Sequence, residues 1–157
     1  MREPCRSPIW LGVSLAGFFD GIVLHQTLQW HHMLTAVDDP AISRDLILNT
    51  TADGLFHVAT YLFAVLGLVM VWRARRAFGA QSHGRYFAGA LLIGAGSFNL
   101  VEGVVDHHLL GIHHFRQTVP REEWIWWDLG FLALALLLLL AGWWLVRSGA
   151  QAAAPPA

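Results

Sequence analysis

Imidazole and carboxylate side chains carry the chemical potential of this chain, and they are not scattered. His25, His31, His32, His57, His107, His108, His113 and His114 fall in a few short stretches, together with Asp20, Asp53, Glu102 and Asp106. Mixed nitrogen and oxygen donors of this kind suit zinc, iron or copper, and free imidazole also titrates near neutral pH. Asp53 and His57 stand four apart, as do Glu102 and Asp106, so each pair shares a helix face. Asn99, three positions before Glu102, joins that face. His25 and His32, seven apart, are nearly aligned on a helix, and so are Asp20 and His31, eleven apart. A carboxylate one turn from an imidazole either ligates beside it or orients it from behind. Facing helices that project Glu, Asp and His inward build di-metal sites.

The candidate metal ligands are therefore His25, His32, His57, Glu102, Asp106, His107 and His108. Glu102, as ligand or proton carrier, and Asp20, as an inward extension of the same path, are the candidate catalytic groups. The expected cofactor is a transition metal, with copper, iron and zinc all compatible; a b-type haem between two histidines ranks behind them. Cys5 is the sole cysteine, so neither an internal disulfide nor a thiolate cage is available. Each residue also has a plain structural explanation. His25 can be a buried histidine bonded to Glu102 or Gln29, and Asp53 can cap a helix. Glu102 can make an interhelical hydrogen bond, and Asp106, His107 and His108 can form a polar helix end. Asp20 can pair with Asn99 for packing alone. His113 and His114 can be solvated loop residues, and Asp128 can sit in a first helical turn, where negative charge is favourable.

The elements that must position these groups are apolar. Of the 157 residues 55% are hydrophobic and 13% charged, too little charge to cover a soluble domain. Four runs are long enough to cross a bilayer as helices: 9–30, 55–72, 86–106 and 124–146. They lack the alternation of barrel strands. The expectation is an all-α membrane protein, a four-helix transmembrane bundle in one domain over 1–148, followed by a disordered Ala/Pro tail at 149–157. The apolar start reads as an uncleaved first span, because Asp20 interrupts it and no small-residue cleavage site follows closely. Residues 31–54, 73–85 and 107–123 read as connections.

Basic residues are all arginine. Arg2, Arg6, Arg73, Arg75, Arg76, Arg85 and Arg147 fall on one side of the four spans, and Arg44, Arg116 and Arg121 on the other, which places both termini in the cytoplasm. Trp10, Trp72, Trp143 and Trp144 then mark the inner interface, and Trp30, Trp124, Trp126 and Trp127 the outer one. On this topology eight histidines gather at the outer face and only His83 lies inside. Ionisable groups within a span cost about 2.5–3.5 kcal/mol each on insertion scales, so those at similar depth are expected to converge inside the bundle. A net charge of −1 offers no basic field for nucleic acid.

Three segments carry a family likeness: Gly17-Phe18-Phe19-Asp20-Gly21-Ile22-Val23-Leu24-His25, Asp53-Gly54-Leu55-Phe56-His57, and Asn99-Leu100-Val101-Glu102-Gly103-Val104-Val105-Asp106-His107-His108. Through them the chain resembles a bacterial family of four-span membrane proteins classed as a domain of unknown function. The resemblance covers most of 9–146. It implies the four-span architecture, the cytoplasmic (inner) membrane and a setting near respiratory-chain proteins. The stretch from Asp106 to His114 also resembles the acidic-His and Gly-His-His boxes of membrane di-iron hydroxylases, although its spacing departs from theirs and no H-x-x-x-H box accompanies it.

The function expected is that of a membrane protein with a His/carboxylate metal site near the extracytoplasmic face. Its work would be redox chemistry, as a metal-dependent oxidoreductase, or metal handling. The alternative is a non-enzymatic, metal-free accessory or pH-sensing subunit. Expected partners are the lipid bilayer, respiratory-chain proteins and a second copy of the chain. A transporter ranks lower, since no inverted repeat is visible.

Overall fold

The computed structural model describes residues 7–77 and 82–152. Arg2, Cys5, Arg6 and the end of the Ala/Pro tail lie outside the described residues. All regular structure among the described residues is helical, and four helices are long and apolar enough to span a membrane: Pro8–Thr27, Leu46–Ala74, Gly84–Leu109 and Arg121–Gly149.

The first span begins as α1 (Ser7–Phe18) and widens into a π-helical segment, Phe19–Thr27. A short α2 (Pro40–Ser43) lies in the first connection, with the Asp39 carboxylate accepting from the Ala41 N–H at its start. The second span is α3 (Leu46–Ala74). The third is α4 (Ser82–Glu102), which also ends in a π-helical segment, Gly103–Leu109. The fourth is α5 (Trp124–Ala152), entered through a single 3-10 turn at Arg121–Glu123.

Two sequence expectations change here. Residues 46–54 are helix, not loop, because Asp45 accepts the Leu48 N–H at 3.0 Å and so caps α3 two turns earlier than expected. Asp53 is consequently no cap; it sits inside the helix, buried. The tail expected from 149 remains helical to Ala152.

The chain is also an internal duplication. Gly12, Asp20, Gly21, His25, His31 and His32 in the first half match Gly94, Glu102, Gly103, His107, His113 and His114 in the second, at a constant offset of 82 residues. Asp53, Phe56 and Gly67 of α3 match Asp128, Phe131 and Gly142 of α5. The contacts repeat as well. A methyl group on Gly12 would strike the Leu91 carbonyl, and one on Gly94 the Ile9 carbonyl; Ile9 and Leu91 are themselves matched residues. Gly67 packs on Leu11 and Gly142 on Ile93, another matched pair. Reciprocal contact of this kind is the signature of a two-fold axis. It relates the first two spans to the last two, with α1 and α4 side by side and parallel at the centre. Small residues let these backbones approach closely, the usual basis of packing where lipid removes the hydrophobic drive. Spans α3 and α5 lie outside and turn Leu, Val and Trp side chains toward lipid, including Leu62, Leu68, Leu137 and Leu140.

Candidate metal centre

Both π-helical segments perform one geometric task. In an α-helix Glu102 would lie above Asp106, four residues on. A π turn shifts the register so that residues five apart meet. Asp20 is brought to His25, with Oδ2 and Nε2 3.0 Å apart, and Glu102 to His107, with Oε1 and Nε2 3.9 Å apart. The backbone records the same change: the Leu28 N–H bonds to the Val23 carbonyl, and the Leu110 N–H to the Val105 carbonyl. Each segment then stops on a left-handed residue, Gln29 at φ 50° and Gly111 at φ 58°. The turn that follows sends His31 and His113 back toward the axis.

There the histidines interleave. The rings of His31 and His113 stack in parallel, 4.7 Å between centroids and 2° between planes. His25 stands edge-on to His31 at 4.4 Å, and His107 edge-on to His113 at 5.0 Å. Every one of these four rings is buried.

Three of the four rings are held by a hydrogen bond at Nδ1, and the fourth, His107, turns Nδ1 toward a carboxylate. His31 donates from Nδ1 to the Phe115 carbonyl at 2.9 Å, and His113 from Nδ1 to the Met33 carbonyl at 3.3 Å, so each half holds the other half's histidine. Asp53 accepts from His25 Nδ1 at 2.9 Å, from His32 Nδ1 at 2.6 Å and from the Met33 N–H at 3.0 Å. Asp128 repeats the arrangement: His107 Nδ1 lies 3.1 Å away, His114 Nδ1 donates at 2.6 Å and the Phe115 N–H at 2.9 Å. A neutral imidazole that donates through Nδ1 presents a lone pair at Nε2. Carboxylate or carbonyl grip on the far nitrogen is how ligating histidines are commonly oriented.

The Nε2 atoms face carboxylates. His31 Nε2 lies 3.7 Å from Asp20 Oδ1, and His113 Nε2 3.4 Å from Glu102 Oε1. Burial holds both His31 and His113 well below the usual imidazole range, helped by repulsion from neighbouring histidines, so both are neutral at neutral pH. Buried Asp20 Oδ1 and Oδ2, His25 Nε2, His31 Nε2, Glu102 Oε2 and both ring nitrogens of His107 have no hydrogen-bond partner among the described residues. The 3.0 Å approach of Asp20 to His25 is thus close without being aligned as a hydrogen bond. His113 Nε2 and Glu102 Oε1 are within hydrogen-bond reach; where the other lone pairs face one another without a proton they repel, and a shared cation would reverse the sign. Three groups drawn from these residues are spaced to hold a metal ion: His25 with His31 and His113, Glu102 with His107 and His113, and Asp20 with His31 and Glu102.

Of the sequence candidates, His25, Glu102, His107 and Asp20 meet at this centre. His32 joins a separate group with His25 and Asp53, its side chain 22% exposed. Three candidates are not brought in. His57 donates to the carbonyl of Asp53 at 2.8 Å and packs on Gly21; Leu132 holds the matching position in the other half. Asp106 is half-buried and belongs to none of these groups, because the π turn places His107 where α-helical spacing would have placed Asp106. His108 is exposed. His31, His113, Asp53 and Asp128 were undervalued by sequence reasoning, although the duplicated His-His pairs at 31–32 and 113–114 were a readable signal.

The family described as "Predicted membrane protein (DUF2243)" matches residues 7–149. The chain belongs to this family. Its matched region spans both halves of the duplication and every residue of the centre. No curated protein and no solved structure matches the chain. As a member of this family with four spanning helices, it is a multi-pass membrane protein in contact with the bilayer.

Proposed function

We propose that the protein is a membrane metalloprotein whose centre holds two transition-metal ions on the internal two-fold axis. Each half supplies two imidazoles and one carboxylate: His25, His31 and Asp20 from the first, His107, His113 and Glu102 from the second. The carrying observation is the convergence of buried, unpaired Nε2 and carboxylate oxygen atoms, with the His25, His31 and His113 rings held from behind. An all-nitrogen and oxygen donor set without sulfur suits zinc, iron or copper, and the carboxylates favour iron. The bias of arginines supports an extracytoplasmic position for the centre in a bacterial cytoplasmic membrane. Its role there is redox chemistry or metal handling alongside respiratory-chain proteins, with Glu102 and Asp20 as ligands or proton carriers.

One observation favours a metal-free reading. His25 lies between Asp20 and Asp53, a place that also suits an imidazolium. In that reading the cluster holds protons and serves an accessory, pH-responsive subunit.

Elemental analysis of the detergent-purified protein separates the two. Two metal equivalents per chain are expected, falling by half or more in both His31→Ala and His113→Ala. His57→Leu, which copies the other half, keeps both. Protein that carries no metal and takes up none from added zinc, iron(II) or copper refutes the metal reading.

A further inference from the structure

The two halves differ at one place that leads to the centre. In the second half Phe98 fills the space beside Gly17 and packs on Phe56, 6.0 Å between rings. Its matched residue in the first half is Ala16. Beside Ala16, where a phenyl ring is missing, a cleft of about 310 Å3 opens among spans α1, α4 and α5. Its walls are apolar, with Phe19, Phe115 and Phe131 among them. Its polar groups are Asp20, buried with both oxygens unpaired, and the Asn99 amide, which makes no side-chain hydrogen bond to the described residues.

A second cavity of about 410 Å3 continues the cleft, sharing Phe115, Phe131 and Leu134 with it and reaching Trp126 and Trp127. Here the halves differ in both directions: Trp126 and Trp127 stand where the other half has Thr51 and Ala52, while one position is smaller. Gly130, with nothing within 4 Å of where a methyl would stand, takes the place that Leu55 occupies in the other half. At Ala16 and Gly130 the groove carries the smaller residue of the matched pair. The result is an apolar groove that runs from the lipid-facing surface to Asp20, at a place whose counterpart in the other half is filled by Phe98.

We infer that this cleft binds a membrane-dissolved quinol-type molecule, an aromatic ring bearing hydroxyl or carbonyl groups on an apolar tail. A pocket of this size is adequate for a ring of that kind, and apolar walls with a few convergent polar groups are the usual make-up of a ligand site. The three phenylalanines offer faces and edges to an aromatic ring. A ring hydroxyl can donate to Asp20, and a ring carbonyl can accept from Asn99. The tail would follow the second cavity out to lipid. The inference rests on the metal reading only for why Asp20 should receive a substrate, and concerns binding alone.

The test uses the full chain in lipid nanodiscs with a decyl-substituted benzoquinol as probe and decylbenzene as control. Equilibrium binding should give one site per chain for the quinol and at least ten-fold weaker uptake of decylbenzene. Ala16→Phe, the other half's own residue, should weaken quinol binding at least ten-fold with metal content unchanged. Phe98→Ala, its mirror image, should raise the stoichiometry from one toward two. If Ala16→Phe fails to fold, Asn99→Leu leaves the cleft open and should itself weaken binding at least ten-fold. Equal uptake of decylbenzene makes the groove a lipid acyl slot and overturns the inference, as does unaltered quinol binding in the folded Ala16→Phe or in Asn99→Leu. Quinol binding by wild-type protein that proves free of metal would refute the metal centre while leaving the cleft intact.

Discussion

Replacing Asp53 by Asn, and separately Asp128 by Asn, probes the duplicated grip behind the centre. Asp53 Oδ1 receives His25 and the Met33 N–H, and Oδ2 receives His32 and, at 3.3 Å, Gln26. Asparagine keeps one acceptor oxygen and turns an NH2 group toward donors. At least one imidazole or the backbone N–H then loses its acceptor in a buried place, at about 1–3 kcal/mol for each group left unsatisfied. Metal affinity should fall about 10–100-fold, the usual effect of losing a group that orients a ligating histidine. Asp128→Asn should do the same, because His107, His114 and the Phe115 N–H surround it in the same positions. The assay is competition for the metal against a chromophoric chelator, with thermal unfolding in detergent run in parallel. Two results would refute the reasoning. Unchanged affinity in both variants, despite lower melting temperatures, makes the carboxylates structural alone. An effect of Asp128→Asn that differs from that of Asp53→Asn by more than about ten-fold, or 1.4 kcal/mol, breaks the functional equivalence of the halves.

Two further outcomes are expected. Gln29→Gly should raise stability by about 1 kcal/mol, read from thermal unfolding, since Gln29 holds the left-handed conformation that its matched residue Gly111 adopts freely; a lower melting temperature would count against this. The metal-free protein should lose stability as pH falls below about 6.5, the ordinary histidine value. His31 and His113 have lowered values in the folded state, so below that pH these two residues bind more protons in the unfolded chain and unfolding gains ground; above it both are neutral in either state and their contribution vanishes. Melting curves of chelator-treated protein at pH 7.5 and 5.5 measure it, and an equal slope in the His31→Gln/His113→Gln variant would exclude these two residues as the source.

Membrane architecture is legible in the sequence, because each span must satisfy its own backbone in lipid and so leaves a long apolar run that can be read locally. The gathering of histidines at one end was legible for the same reason, since topology alone sorts them. Helical spacing misled where the helix was not α: Asp106 was expected beside Glu102, and the π turn substituted His107. The extent of α3 was also underestimated, because Asp45 is a good cap whose following turns are polar enough to resemble a loop. His31 and His113 look like loop residues in sequence, and nothing local announces that each donates to a carbonyl of the other half.

The composition and order of residues determined by themselves that this is a four-span helical membrane protein, rich in ligand-forming groups at one end, and the duplicated pattern of carboxylate, His and His-His was written there too. Only the tertiary structure decided which of those groups share a centre. That choice depends on helix rotation, on the register change at two π turns and on contacts exchanged across the two-fold axis. None of these is a property of a single segment, since each arises when two segments far apart in the chain pack against one another.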